Sequence, residues 1–190
     1  MEKSVHEIRN GLQNLHFPRW DELPSFPLYM DQVLLFLNQV LDPVHFDAEK
    51  PILTSSMVNN YVKNSIVKAP VMKQYRTYHM AYLLVVCVMK RCYSLSEIST
   101  LIEIYSDISD QSRTAMDYNK FVTVFEDTIS DVFATGTCKK EYFENPTPQQ
   151  LLMVNVIRTL AYKIFGEYEL LEYRQSAVHP EQNCSENVPE

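Results

Sequence analysis

The chain has 190 residues, a formal net charge of -7 and 46% hydrophobic residues, so it is long enough for a packed domain and too apolar for wholesale disorder. Its three glycines and the lack of any GxGxxG or GxxxxGK[ST] sequence argue against β-hairpin proteins and classical nucleotide-binding loops. No signal-peptide pattern opens the chain, and the longest apolar run (residues 80–89) is too short to span a bilayer, so a soluble, cytoplasmic protein is expected.

The first part of the chain predicts two helices separated by a proline-rich connector. Residues 1–16 carry apolar side chains at helical spacing, with Ser4 as a candidate N-cap. Three prolines mark residues 17–27 as an extended segment with aromatic anchors. Residues 29–41 form the second predicted helix, which ends at Asp42-Pro43.

The middle of the chain predicts a short helix, an irregular segment and a long apolar helix. A loop over residues 43–53 leads to the short helix, for which Thr54 or Ser55 is a natural N-cap. Residues 65–75 contain a proline and alternating apolar side chains, which predict a short hairpin or an extended loop. Residues 76–91 predict the apolar helix.

The C-terminal part predicts three helices and a tail. Ser94 and Glu97 have the S-x-x-E spacing of a capping box, so a helix opens there. Two further helices are predicted over about residues 116–133 and 148–171, and residues 172–190 are expected to be disordered. The predicted fold class is therefore all-α, with at most one small hairpin.

The last helix has a strong apolar stripe that allows two interpretations. Its side chains recur every three or four residues, which suits packing either against a partner chain or against the helix over residues 116–133. The prolines in the linker between the two helices favour an antiparallel pair within the chain.

Basic and acidic side chains are distributed unevenly. Residues 51–93, the basic region, contain six Lys and Arg and no carboxylate, whereas the rest of the chain holds eleven basic and all 24 acidic residues. Because Lys and Arg displace counterions from a polyanion, the basic region is a candidate DNA-binding surface. The alternative is that it docks on the acidic remainder of the same chain.

The polar residues of this region suit a DNA groove. Hydroxyls and helix N-terminal N–H groups hold phosphates, and Asn can pair with adenine. Tyr75 and Tyr78 would serve either as phosphate donors or as core anchors of a wing, and their spacing favours the core. The predicted DNA-binding residues are Thr54, Ser55, Ser56, Asn59, Asn60, Tyr61, Lys63, Lys68, Lys73, Tyr75 and Arg76.

The order of motifs resembles the winged-helix DNA-binding domain of MerR-type transcription regulators. The motifs are MVNNYV, a loop with a proline, YRTY, an apolar helix and YSLSEISTLI, all within residues 54–104. The resemblance implies a recognition helix, a wing and a homodimer formed through a long helix after the domain. Asn59 stands where that family usually carries Arg, Tyr93 stands close to its usual Gly-Phe, and the loop over residues 43–53 replaces its short turn.

The longer string LTSSMVNNYVKNSIVKAPVMKQYRTYHMAYLLVV is similar to the bacterial YkrK-like family of unknown function, over roughly residues 24–170. That similarity implies a DNA-binding scaffold with a regulatory role. The predicted organisation is an N-terminal helix and connector (1–27), a MerR-like winged helix-turn-helix domain (28–104), a C-terminal helical layer for core packing or dimerisation (105–171) and a tail (172–190).

Other functions have weaker support. The five histidines are widely separated and no HExxH or GxSxG motif occurs, so no catalytic site, metal site or cofactor is predicted. Cys138, beside Lys139 and Lys140, is weighed as a surface-loop oxidant sensor but lacks a resolving cysteine. Seven aromatic residues could line a pocket for a small-molecule effector, although their helical spacing favours a core: Tyr118, Phe121, Phe125, Phe133, Tyr162, Phe165 and Tyr168.

Two functions therefore compete. The first is a bacterial transcription regulator that binds double-stranded DNA as a homodimer. The alternative is a protein–protein interaction module on a winged-helix scaffold that has lost DNA binding, which the acidic net charge and Asn59 would suit. Carboxylates of Asp47, Glu49 or the C-terminal half crossing the basic surface would favour the alternative.

Overall fold

The computed structural model describes residues 4–46, 51–105 and 111–178. Within these ranges the chain consists of helices joined by irregular segments. The α-helices are α1 (Val5–Gln13), α2 (Met30–Leu41), α3 (Ser55–Lys63), α4 (Thr77–Met89), α5 (Leu95–Tyr105), α6 (Gln111–Thr135) and α7 (Pro148–Val178). No β-strand occurs in these ranges, which confirms the all-α prediction for them. None of the described helices combines the length and apolar content needed to cross a bilayer.

Two helices begin with capping boxes; the sequence predicts the box at α5, and at α1 it predicts only the cap residue Ser4. At α1, the Glu7 N–H donates to Ser4 Oγ over 3.2 Å, and the Ser4 N–H donates to the Glu7 carboxylate over 2.8 Å. At α5, the reciprocal bonds between Ser94 and Glu97 measure 2.7 and 3.3 Å. Each cap occupies an N–H group that a helix start leaves without an intrahelical partner, which is worth about 1 kcal/mol.

Helices α6 and α7 lie side by side and run in the same direction. The first turns of both helices line one cavity. Further along, Phe133 of α6 packs against Phe165 and Tyr168 of α7, with ring centroids 5.1 and 5.3 Å apart. The prediction of an antiparallel helix pair, based on the prolines of the linker, is therefore wrong.

The linker over residues 136–147 returns along α6 and makes the parallel arrangement feasible. Lys140 lies 2.7 Å from the Asp127 carboxylate, and Lys120 lies 4.7 Å from the centroid of the Phe143 ring. Twelve extended residues reach about 40 Å, and a helix of 25 residues such as α6 is about 37 Å long. The linker is thus long enough to carry the chain back to the start of α6.

Cys138 is buried in this linker, which corrects the surface-loop prediction. Its N–H donates to the Tyr162 hydroxyl over 3.0 Å, and its Sγ lies 3.8 Å from the Asp131 carboxylate. Lys140 points to Asp127 instead. A buried thiol beside a carboxylate lacks the accessible, electropositive surroundings of a reactive cysteine.

The apolar stripe of α7 is buried within the chain, as one of the two interpretations proposes. Ile157, Leu160 and Ile164 are fully buried where α7 packs on α6 and α1. Residues 172–178, which the sequence assigns to the tail, continue α7 as helix, whereas residues 179–190 lie outside the described residues.

The proline-rich connector is anchored on α6. Phe17 is fully buried and stacks on Phe125 with ring centroids 5.6 Å apart. Arg19 forms an ion pair with Glu126 over 2.5 Å. The aromatic anchor expected in this segment therefore packs on the C-terminal helices.

The far end of the connector is joined to the start of α4. Leu28 and Tyr75 exchange two backbone N–H···O bonds of 2.8 Å each. The Thr77 hydroxyl donates to the Pro24 carbonyl over 2.8 Å. Residues 17–28 therefore run from α6 to the segment that precedes α4.

The segment between α3 and α4 forms a tight turn rather than a hairpin with strands. The Gln74 N–H donates to the Val71 carbonyl over 2.9 Å in an isolated bridge. Met72 and Lys73, at the tip, have φ values of 51° and 62°, the left-handed region that Asn and Gly adopt most readily. We refer to residues 71–74 as the tip turn.

Candidate nucleic-acid interface

One face of α3 is polar and open to solvent. Ser56, Asn59, Asn60 and Lys63 recur at intervals of three and four residues, and all four are exposed. Val58, on the opposite side, is fully buried and holds the helix against the core. The exposed face thus presents hydroxyl, amide and ammonium groups on a fixed element.

The N-terminus of α3 adds groups that suit an anion. Thr54 is half-buried and its Oγ1 accepts the Met57 N–H over 3.3 Å, so this residue acts as the cap. Ser55 and Ser56 are exposed at the first two helical positions, where N–H groups have no partner within the helix. Their hydroxyls and N–H groups lie at the positive end of the helix dipole and can bind a phosphate.

The two asparagines of α3 have different surroundings. Asn64 donates its side-chain amide to the Asn60 backbone carbonyl over 2.8 Å and to the Asn60 side-chain oxygen over 3.0 Å. The Asn60 oxygen is therefore already occupied, whereas its NH₂ group remains available as a donor. Asn59, one position earlier, is exposed and is the better placed of the two to pair with adenine through both its oxygen and its NH₂ group.

Four cations surround this helix face and its following turn. Lys63, Lys68, Lys73 and Arg76 are exposed, and none of them forms an ion pair with a carboxylate in the described parts of the chain. Their charge is not neutralised by the acidic residues that the structure describes. Asp47 and Glu49, the carboxylates expected to interrupt this surface in the alternative function, lie outside the described residues.

The other two cations of the basic region contact the chain itself. Arg91 forms an ion pair with Glu167 of α7, and donates to the Val44 carbonyl over 2.7 Å. The Lys90 ammonium donates to the Tyr93 carbonyl over 3.2 Å. Among the described residues, Arg91 is the one cation of the basic region that forms an ion pair with the acidic C-terminal half, as the docking interpretation proposes.

Two tyrosines among the predicted DNA-binding residues are buried. Tyr61 and Tyr75 are each 3% exposed. Burial raises the pKa of the Tyr61 hydroxyl to about 12 and also raises the pKa of Tyr75. Neither ring therefore forms part of the polar face. Tyr75 contacts Leu28 and His79, so its interpretation as a core anchor is the one that fits.

His79 is a positioning residue that the sequence analysis misses. Its Nδ1 accepts the Arg76 N–H over 2.8 Å, and its ring stacks on Tyr78 with centroids 4.0 Å apart and meets Tyr75 edge-on at 5.3 Å. Burial lowers the pKa of His79, so the neutral ring that this hydrogen bond needs is favoured. The only sequence signal is a polar residue three positions after the N-cap, Arg76.

The tip turn also exposes apolar side chains, which the sequence analysis misses. Met72 is 87% exposed and Val71 is 58% exposed, next to Lys73. The alternating pattern around these residues suggests burial, but a two-residue turn leaves its tip no neighbouring element to pack against.

Comparison with known proteins places most of this region in one family. The family model described as a domain of unknown function (DUF1836) matches residues 18–121, which include α2 to α5 and the start of α6. Searches of curated proteins and of solved structures found no match.

Proposed function

The chain belongs to the DUF1836 family, a domain of unknown function, and we propose that it is a bacterial transcription regulator that binds double-stranded DNA. In this proposal α2 and α3 form a MerR-like helix-turn-helix pair, and residues 65–76 form its wing. The exposed groups of α3 enter the major groove, with Asn59 pairing with a base and Ser55 and Ser56 contacting phosphate.

The observation that carries the proposal is a set of four cations that form no ion pair with any carboxylate in the described ranges. Lys63, Lys68, Lys73 and Arg76 lie on α3 and the segment just after it, in a region of the sequence without a carboxylate. A chain with a net charge of -7 in which no described carboxylate pairs with these cations is suited to a polyanionic partner. A cytoplasmic location follows from this role.

Dimerisation is part of the proposal, because small DNA-binding domains gain affinity from two half-sites. The face of α7 that does not contact α6 carries exposed Leu152, Tyr162, Leu170 and Tyr173. At Gly166, on the same face, an added Cβ would have no atom within 4 Å. An apolar stripe with a glycine at its centre allows a second α7 to approach closely.

We expect the double variant Leu170→Glu, Tyr173→Glu to be monomeric at concentrations where the unaltered protein is dimeric. Four carboxylates would then face one another across the two-fold axis in place of apolar side chains. Sedimentation equilibrium measures the mass, and Arg174→Glu on the neighbouring face is the control that should leave it unchanged. A monomeric unaltered protein would contradict this part of the proposal.

The proposal is tested by fluorescence anisotropy of a labelled random-sequence duplex at several salt concentrations. Counterion release contributes a slope of about -0.9 per contacted phosphate to log K against log salt, so a slope of about -4 to -8 is expected for a dimer with four to eight or so contacts. No binding even at low salt would overturn the proposal.

One observation favours the alternative, a protein–protein interaction module. Apolar side chains are exposed in three neighbouring segments: Phe26 in the connector, Tyr29 at the start of α2, and Val71 and Met72 at the tip turn. The Tyr29 hydroxyl is 3.4 Å from the Gln74 amide, which places the start of α2 beside the tip turn. Clustered apolar surface is typical of a protein partner. Two results together would favour this function: the protein does not bind a duplex, and it captures a specific protein partner. The Met72→Ser variant should fail to capture that partner.

A further inference from the structure

A cavity of about 410 Å³ lies between α4, α5 and the first turns of α6 and α7. Pockets that bind small organic molecules span roughly 300–1,000 Å³. None of the exposed polar residues of α3 lines this cavity, so it is separate from the candidate DNA interface.

The aromatic residues that the sequence analysis weighs as pocket residues divide between cavity and core. Tyr118 and Phe121 line the cavity, whereas Phe125 and Phe133 are buried in the core beyond it. Three further aromatic residues line the cavity, Tyr82, Tyr105 and Phe143, and eight of the 20 lining residues are aliphatic or methionine side chains of α4, α5 and α7.

The interior of the cavity is apolar. Val85 and Met89 of α4, Leu101 of α5, and Met153 and Val156 of α7 contribute to its wall. Methionine side chains adapt their shape to what they contact, and two of these five residues are methionines. The interior therefore suits a flexible hydrocarbon or a flat ring.

The mouth of the cavity is polar, and the described residues there carry more positive than negative charge. Lys120 and Arg113 are exposed there, together with one carboxylate, Asp117, which lies 3.8 Å from the Arg113 guanidinium. The Lys120 ammonium is held over the ring of Phe143, 4.7 Å from its centroid. Burial raises the pKa of Asp117, and the neighbouring Arg113 guanidinium opposes that shift.

We propose that this cavity binds a small amphipathic organic anion, with its apolar body against Val85, Met89 and Met153 and its acidic group at Lys120. Size, an apolar interior and a cationic mouth all match that class of ligand. The proposal does not depend on DNA binding. Since the walls come from both the DUF1836 region and α7, a bound ligand would also stabilise their packing.

The first test uses 8-anilinonaphthalene-1-sulfonate as a fluorescent probe and decanoate as its competitor. Saturable binding with one site per chain, displaced by decanoate, is expected for the unaltered protein. Val85→Trp should weaken probe binding by about tenfold or more because the indole fills the cavity. Val71→Trp, which adds the same ring at the exposed tip turn, is the matched control and should bind as the unaltered protein does.

The second test addresses the charged end of the ligand. Lys120→Glu should weaken decanoate binding by about fivefold or more and leave 1-decanol binding unchanged, because only the carboxylate meets the reversed charge. Lys139→Glu is the control on the linker, outside the cavity. Because Lys120 is exposed, its substitution should leave the fold intact. The Lys120→Glu variant therefore tests ligand binding in the cavity even if Val85→Trp does not fold. Lack of saturable probe binding by the unaltered protein, or unaltered decanoate affinity in Lys120→Glu, would overturn the proposal.

Discussion

Reversing the charges of Lys73 and Arg76 together should abolish duplex binding while the fold stays intact. Both side chains are exposed and neither forms an ion pair with a described carboxylate, so the substitutions break no ion pair in the described structure. In the proposed complex with DNA, each reversal would replace a cation at the phosphate backbone with an anion that repels it. The loss of affinity should be about 100-fold or more near 0.1 M salt, and the salt dependence of any residual binding should be shallower.

The measurement is anisotropy of the labelled duplex with the double variant Lys73→Glu, Arg76→Glu. The matched control is Lys139→Glu, Arg174→Glu, which makes the same change in net charge at exposed positions outside the candidate interface. The control should lose only the small affinity expected from a more negative chain. Equal losses in both variants would show that net charge, rather than this surface, governs binding, and unchanged affinity in the first variant would remove the assignment of Lys73 and Arg76.

Phe17→Ala should destabilise the protein by about 3–5 kcal/mol, as large-to-small substitutions of fully buried aromatic residues do. Phe17 has no exposed surface, stacks on Phe125 and is held in place by its own N–H, which donates to Glu126 over 2.5 Å. Truncation would leave a cavity between the connector and α6. Because the connector also pairs with Tyr75, the change should loosen the turn that precedes α4 as well.

Urea unfolding followed by circular dichroism gives the free energy of unfolding for this comparison. The same connector supplies the control: Phe26→Ala removes a side chain that is 63% exposed and should change stability by no more than about 0.5 kcal/mol. If the two variants lost equal stability, the packing of the connector on α6 would be refuted.

Helix starts are predictable from this sequence because their determinants are local. Ser4, Thr54 and Ser94 cap helices through atoms no more than three residues away, and each can be identified without knowledge of the rest of the chain. The polar face of α3 is predictable for a similar reason, since the spacing of Ser56, Asn59 and Lys63 determines a common side of the helix.

The direction of α7 relative to α6 could not be predicted, because the linker has no periodicity that records its path. Both an antiparallel and a parallel pair bury the same stripe of α7. The deciding contacts are those of Lys140 with Asp127 and of Lys120 with Phe143, which fix the linker along α6. The ion-pair partner of Arg91 could not be predicted for a similar reason. Glu167 is 76 positions away and becomes a neighbour of Arg91 only through the tertiary fold.

The tip turn is less stable with Met72 and Lys73 than it would be with a different pair of residues. Met72 and Lys73 hold left-handed backbone conformations at a cost of about 1 kcal/mol or more each, and their exposed side chains obtain no packing in return. Asn-Gly at the same two positions would relieve that strain. Stability of the folded chain does not explain a methionine and a lysine at these positions, so their presence points to a use for their side chains outside the folded chain.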